Sequence, residues 1–173
     1  MIKKLLIIIL SFALYFSTAI SEELTIAYVD VDKIINQSVA GKDIAKQLKI
    51  LNDNNIKKFK QKEKKLADEE KNLVKQKNIL SKEELEKQVI TLRKNVGNFK
   101  IDIKNSRNDL DQKRLEATKK ILNVLNPILA EYSSKNSISL IIQKKIIVIG
   151  KSNMDITPQI LKLLDKKIKN MKL

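Results

Sequence analysis

Asp30 and Asp32 stand two residues apart, directly after a strand-like run, and a carboxylate pair of this kind can serve acid-base or metal chemistry. The same position also suits helix capping, since either side chain can cap a short helix running through Ile34 and Ile35. Capping is the expected role, because the pair sits directly after a strand, where a helix begins. The sequence contains no histidine and no cysteine. Zinc sites, cysteine nucleophiles, Ser-His systems and neutral-pH histidine catalysis are thereby excluded. No G-x-x-x-x-G-K-[ST] phosphate loop occurs either. An enzyme is the least expected class, and no cofactor or metal is expected.

What remains is charge and apolar surface. Lysine and arginine number 35 against 20 acidic residues, a formal net charge of +15. Between Lys42 and Ile79 there are twelve lysines and six acids, and between Lys82 and Lys135 twelve basic and eight acidic residues. A pI near 9.8 is also the footprint of a nucleic-acid binder. Lysines without interleaved aromatics or a recognisable reading motif would give only nonspecific affinity, so no physiological nucleic-acid partner is expected.

These charges lie on segments of helical composition. From Gly41 to about Tyr132 the only proline is Pro127 and the only internal glycine is Gly97, while Lys, Glu, Gln, Leu and Asn dominate. Leu85, Val89, Leu92, Val96, Phe99 and Ile103 follow a strict four-three spacing that continues to Leu110 and Ala117, with polar Ser106 and Lys113 between. That is a coiled-coil seam. Ahead of it Phe59, Leu66, Leu73 and Leu80 recur every seven residues, with Ile44, Leu48 and Leu51 as a separate apolar cluster. Asn55, Lys62, Glu69 and Gln76 occupy the intervening positions, so this first helix requires a partner.

Ser81 followed by Glu84 forms a capping box that restarts a helix. The spacing therefore predicts a helix over about 42–79, a reversal near 78–81 and a returning helix over about 82–133, a hairpin arm on the order of 60 Å long. Pro127 is expected to kink or locally break the returning helix near its base.

Outside the arm the periodicity changes. Leu24 to Val29 reads as a strand buried on both faces. Ile138 and Leu140 to Ile142 read as a second strand, the polar turn 143–145 follows, and Ile146 to Gly150 read as a third strand closing a hairpin. Gly41 marks a junction. Thr157 before Pro158 predicts an N-cap and first helical position for a last helix with Ile160, Leu161, Leu164 and Ile168 on its apolar stripe. The expected organisation is α+β, mainly α: a β-rich trimerisation body from residues 22–41 and 134–173, carrying the helical arm of 42–133 as an insertion.

The N-terminus has the layout of a cleavable secretory signal over residues 1–21: Lys3 and Lys4, an apolar run from Leu5 to Phe16, then small residues. That run is shorter than the roughly 20 residues a membrane-spanning helix needs. Cleavage after Ser21 is preferred to cleavage after Ala19, and leaves a chain of about +13. About 150 residues then remain, with apolar side chains too dispersed for one globular core, so an elongated or oligomeric protein is expected. Export to an oxidising compartment without a single cysteine means that packing and assembly must supply the stability.

Ile26-Ala27-Tyr28-Val29-Asp30, Ile34-Ile35, Ser38 and Gly41, together with Ile138-Ser139-Leu140-Ile141-Ile142 and Asp155-Ile156-Thr157, in this order behind a signal sequence, resemble the Skp/OmpH family of periplasmic chaperones. The resemblance spans essentially the whole mature chain. It implies a jellyfish-like homotrimer in the periplasm, with a small central barrel of short strands and three helical hairpins around a cavity. It also implies an ATP-independent holdase that binds unfolded outer-membrane β-barrel proteins on their way to the outer membrane. Departures are the low aromatic content, 4%, and the very lysine-rich arm. The family's proposed lipopolysaccharide site has no residue-by-residue match here, although peripheral contact with anionic lipid or lipopolysaccharide suits the charge.

Under that resemblance Lys57, Lys58, Phe59, Lys62, Lys65, Leu66, Leu73 and Phe99 are the candidate client-binding residues. A positive cage attracts acidic chains at long range and releases them because screened contacts are weak. The plainer expectation is that the lysines form a solvated helix face and the apolar residues the seam. The polar-interrupted seam, with Gly97 in a helix interior, predicts an arm that can widen around clients of different size. A structural coiled-coil spacer or adaptor of the cell envelope would have a similar sequence.

Overall fold

The computed structural model describes residues 24–173, so the signal-sequence expectation for residues 1–21 lies outside the described residues. The chain begins with strand β1 (Ile26–Val29), whose Ala27, Tyr28 and Val29 are all buried. Asp30 ends the strand and caps helix α1 (Val31–Gln37), its Oδ1 accepting from Lys33 N at 2.8 Å. The paired carboxylate Asp32 is exposed in the first turn, so the capping role holds for Asp30.

Ser38 separates α1 from α2 (Val39–Gln76) and caps the latter, accepting from Gly41 N at 3.1 Å. Helix α2 thus starts earlier than the composition suggested, and Gly41 lies inside its first turn rather than at the junction. A Cβ at Gly41 would stand 1.6 Å from the Ile35 carbonyl oxygen. No side chain fits there, which is how α1 and α2 come to pack so closely.

Helix α3 (Lys82–Lys135) begins at the expected capping box: Ser81 Oγ accepts from Glu84 N, and the Glu84 carboxylate accepts from Ser81 N at 3.2 Å. The side-chain hydrogen bond from Ser81, with the backbone one, holds the Glu84 carboxyl below its ordinary pKa. Contrary to the expectation of a break, the helix runs through Pro127 without interruption. The carbonyl orphaned by proline belongs to Asn123, an exposed residue, so water can satisfy it.

β2 (Leu140–Gln143) pairs with β1 in parallel, Ile26 opposite Leu140 and Val29 opposite Gln143. A parallel pair needs a long crossover, and here the crossover is the whole helical excursion. The segments on either side of that excursion, 26–29 and 140–143, are thereby joined.

The expected third strand is absent. Residues 144–146 turn as a 3-10 helix, with Ile147 N donating to Lys144 O at 3.0 Å, and residues 147–150 run without strand pairing. That turn carries the chain away from β2. Ile146, Val148 and Ile149 consequently stand 70, 96 and 92% exposed, an apolar segment with no partner within the described residues. Their β-branched sequence matched a strand, but a strand also needs a neighbour.

The last helix, α4 (Thr157–Lys167), has Pro158 in its first turn as expected, but Ile156 occupies the N-cap position and Thr157 lies inside the helix. The threonine hydroxyl is used elsewhere, accepting from Asp30 N at 2.9 Å. Asp155 takes over the cap-like role, accepting from Thr157 N at 2.9 Å. Ile160 and Leu164 of α4 join Ala27, Val29, Ile34, Ile121, Leu125 and Ile128 in the body core. Each fully buried aliphatic side chain of this kind contributes about 1.5–3 kcal/mol.

Candidate functional site

Helices α2 and α3 pack antiparallel, and their shared face can be followed layer by layer. At the base Ile44, Leu48 and Ala117 are buried together, with Leu110 against them. The next layer is polar: Asn55 Nδ2 donates to Ser106 Oγ at 2.7 Å. Phe59 and Phe99 then meet edge to face, centroids 6.1 Å apart. Lys62 reaches Asp102 Oδ2 at 2.6 Å, and its ammonium lies 5.9 Å from the Phe99 centroid. Leu66 is buried beyond them, and Leu73 is half-buried towards the tip.

The polar positions that interrupt the apolar repeat are thus partly matched across the pair. Sequence spacing located the interruptions but not their partners, because Asn55 and Ser106 are 51 residues apart and belong to different repeats. Each matched layer is a modest contribution. The Lys62–Asp102 pair is substantially exposed, and exposed ion pairs are worth about 0–1 kcal/mol.

Of the candidate client-binding residues, Phe59, Lys62, Leu66 and Phe99 make contacts across or within this shared face. Lys57, Lys58 and Lys65 face solvent, Lys65 standing 4.0 Å from Glu69 of its own helix. Among the described residues, only Lys62, Lys65, Lys87, Lys113, Lys135 and Lys144 come within 4.0 Å of a carboxylate. The remaining lysines leave the outside of the helical pair with an uncompensated positive field.

A second set of residues was not singled out by the spacing. Ile50, Ile56, Val74, Ile79, Ile90 and Ile101 are apolar yet 44–82% exposed. Ile50, Ile90 and Ile101 lie off the shared face among lysines, Ile56 and Val74 border it in shallow grooves beside Phe59 and Leu85, and Ile79 stands in the turn between the helices. The available signal was their failure to fall on the four-three repeat: an apolar residue off the seam has no partner in a two-helix structure. Single exposed apolar residues are common, but a recurrent set on a basic surface offers many weak contacts to a chain carrying acidic and apolar groups.

At the base a groove of about 690 Å³ opens between α2 and α3, lined by Ile44, Leu48, Lys49, Leu110, Arg107 and Arg114 among others. It is open to solvent, and its one acidic lining residue, Asp111, stands among Lys49, Arg107 and Arg114. Below it, Lys144 bridges Asp155 and Asp30 at 3.5 and 3.9 Å. Partial burial works to raise the pKa of Asp155, but hydrogen bonding from Thr157 and the Lys144 charge outweigh it and hold the carboxyl below its ordinary value. This is a structural cluster joining β1, the turn after β2 and the start of α4. Among the described residues no grouping of carboxylates suits a metal ion, and no helix is long and apolar enough to cross a membrane.

This arrangement has counterparts among known proteins. Residues 25–164 match the family model described as outer membrane protein (OmpH-like). A crystal structure described as a putative OmpH-like outer membrane chaperone from Caulobacter crescentus CB15 superposes with a TM-score of 0.80 at 19% identity, covering 92% of this chain and 95% of that one. No curated protein matches the sequence.

Proposed function

The chain belongs to the OmpH-like family of outer membrane proteins, and from that premise we propose that it is a periplasmic, ATP-independent holdase chaperone. Its clients are unfolded outer-membrane β-barrel proteins, held against the basic, apolar-studded surface of the helical pair and kept from aggregating. The observation that carries this reading is the combination of a long helix pair, closed by its own shared face, with exposed apolar residues in a field of unpaired lysines. Attraction over the Debye length gathers acidic clients, and many weak contacts retain them without trapping them.

The working unit is a homotrimer. A two-stranded sheet of four-residue strands is too small to be stable alone, and Ile146, Val148 and Ile149 are bare within one chain. Pairing of such segments from three copies would cover it and would arrange three helical pairs around one cavity. Peripheral contact with anionic lipid or lipopolysaccharide is compatible with the same charge. The polar layers and Gly97 support a helical pair that widens around clients of different size.

The test is dilution of a β-barrel protein from urea into buffer with increasing amounts of the chain from Glu22 onward. A holdase suppresses aggregation at about one trimer per client. A structural spacer of the envelope leaves aggregation unchanged.

A further inference from the structure

The segment after α4 forms a contact with the base of the helical pair that neither the family match nor the holdase reading accounts for. The chain is extended at Ile168, with φ −121° and ψ 107°, and Ile168 itself is buried in the body core. Residues 171–173 then run alongside α2. Gln47 Nε2 donates to the Met171 carbonyl at 2.7 Å and also contacts the Asp43 carbonyl of its own helix at 3.3 Å. Gln47 Oε1 accepts from Leu173 N at 3.2 Å.

One side-chain carboxamide therefore bonds the carbonyl before Lys172 and the N–H after it. That is the pair of bonds one residue of a parallel strand offers to its neighbour. Met171, on one side of the clamped residue, touches both the body core and the base cluster of Ile44, Leu48 and Ala117, while Lys172 is exposed.

We propose that this trough, Gln47 with the apolar floor of Ile44, Leu48 and Ala117, is a binding site for extended polypeptide, occupied at rest by the chain's own residues 171–173. Recognition runs through main-chain groups, so it reads extension and one apolar side chain rather than a particular sequence. Strand-addition sites divide affinity and selectivity in this way.

The resident segment carries the exposed Lys172 on a protein whose formal net charge is already +15. An extended segment alternating apolar and acidic residues makes the same bonds with complementary charge and displaces it. Unfolded β-barrel proteins supply alternating apolar and polar residues, of which the acidic stretches fit best. Identifying the incoming strand as a client rests on the holdase reading; the existence of the site does not.

The experiment measures anisotropy of a fluorescent, proline-free octapeptide of alternating leucine and glutamate, and of its backbone N-methylated counterpart. They are titrated with the wild-type chain, Met171→Asp and Met171→Asp/Gln47→Leu. Ejecting the resident segment should tighten peptide binding about tenfold, the equivalent of one good hydrogen-bonded contact. Gln47→Leu and N-methylation should each remove the gain. Equal binding by wild type and Met171→Asp, or indifference to Gln47→Leu, overturns the proposal. If Met171→Asp loses its helical circular dichroism, Met171→Ser carries the same comparison. Aggregation suppression by the wild-type chain separates the two readings. If suppression is intact and peptide binding unchanged, only this site is lost; if peptide binding behaves as expected without suppression, the holdase reading fails and the site stands.

Discussion

Asn55 donates to the Ser106 hydroxyl at 2.7 Å across the helical pair, one turn of α2 below the edge-to-face contact of Phe59 with Phe99. A polar layer beside an aromatic one fixes how the two helices align, because sliding either helix by a turn sets a partly buried amide against an aromatic ring.

Asn55→Ala leaves the Ser106 hydroxyl without its partner and should lower stability by about 1 kcal/mol. Asn55→Leu combined with Ser106→Ala makes the layer apolar and should recover that loss. Urea denaturation of Asn55→Leu, Ser106→Ala and the double variant gives the coupling. Strict additivity would show that the hydrogen bond contributes nothing.

The two helical glycines should respond oppositely to alanine. A Cβ at Gly97 meets nothing within 4 Å, so Gly97→Ala should stabilise α3 by up to about 1 kcal/mol and slow amide exchange around it. At Gly41 the added carbon collides with the Ile35 carbonyl, and the cost should be about 3 kcal/mol or more. Exchange near Gly97 already as slow as in the body would remove the case for a flexible arm.

Asp155 sets an acid dependence for the body. Its folded pKa lies below its unfolded value, so its stabilisation is complete at neutral pH and is lost as pH falls below about 4. Asp155→Asn should lower the melting temperature at pH 7, and the difference from wild type should shrink towards pH 3. A difference that persists unchanged at pH 3 would assign the effect to shape rather than charge.

Off-seam apolar residues and shared-face residues should separate in function. Replacing Ile50, Ile90 and Ile101 together by glutamine should leave the melting temperature within a few degrees, since exposed substitutions cost about 0.5 kcal/mol or less each. Suppression of client aggregation should nevertheless fall several-fold. Phe59→Ala, which empties the contact with Phe99, should instead lower stability by about 1–3 kcal/mol.

Much of this architecture was legible in the sequence because it rests on local signals. The capping box at Ser81, the four-three repeat through Phe99 and the Asp30 cap each depend on residues within a turn or two of one another, and each element formed where those signals stand. The failures share a different cause. Ile146 to Ile149 had strand composition, but pairing is decided by a neighbour, and within this chain the 144–146 turn removes it. Thr157 had the chemistry of a cap, but its hydroxyl is claimed by Asp30, 127 residues away. The pairing of Asn55 with Ser106 and the clamp of Gln47 on Met171 likewise depend on contacts between distant segments, which no periodicity encodes. Of the candidate site, the charge was readable, while the exposed isoleucines were marked in the sequence only by falling off the four-three repeat.

The most direct test of the account is the mass of the purified chain from Glu22 onward, measured by light scattering with and without a urea-unfolded β-barrel protein. The account predicts three copies alone and three copies plus one client after mixing. A species that stays a single copy and scatters as separate components beside aggregated client would contradict it.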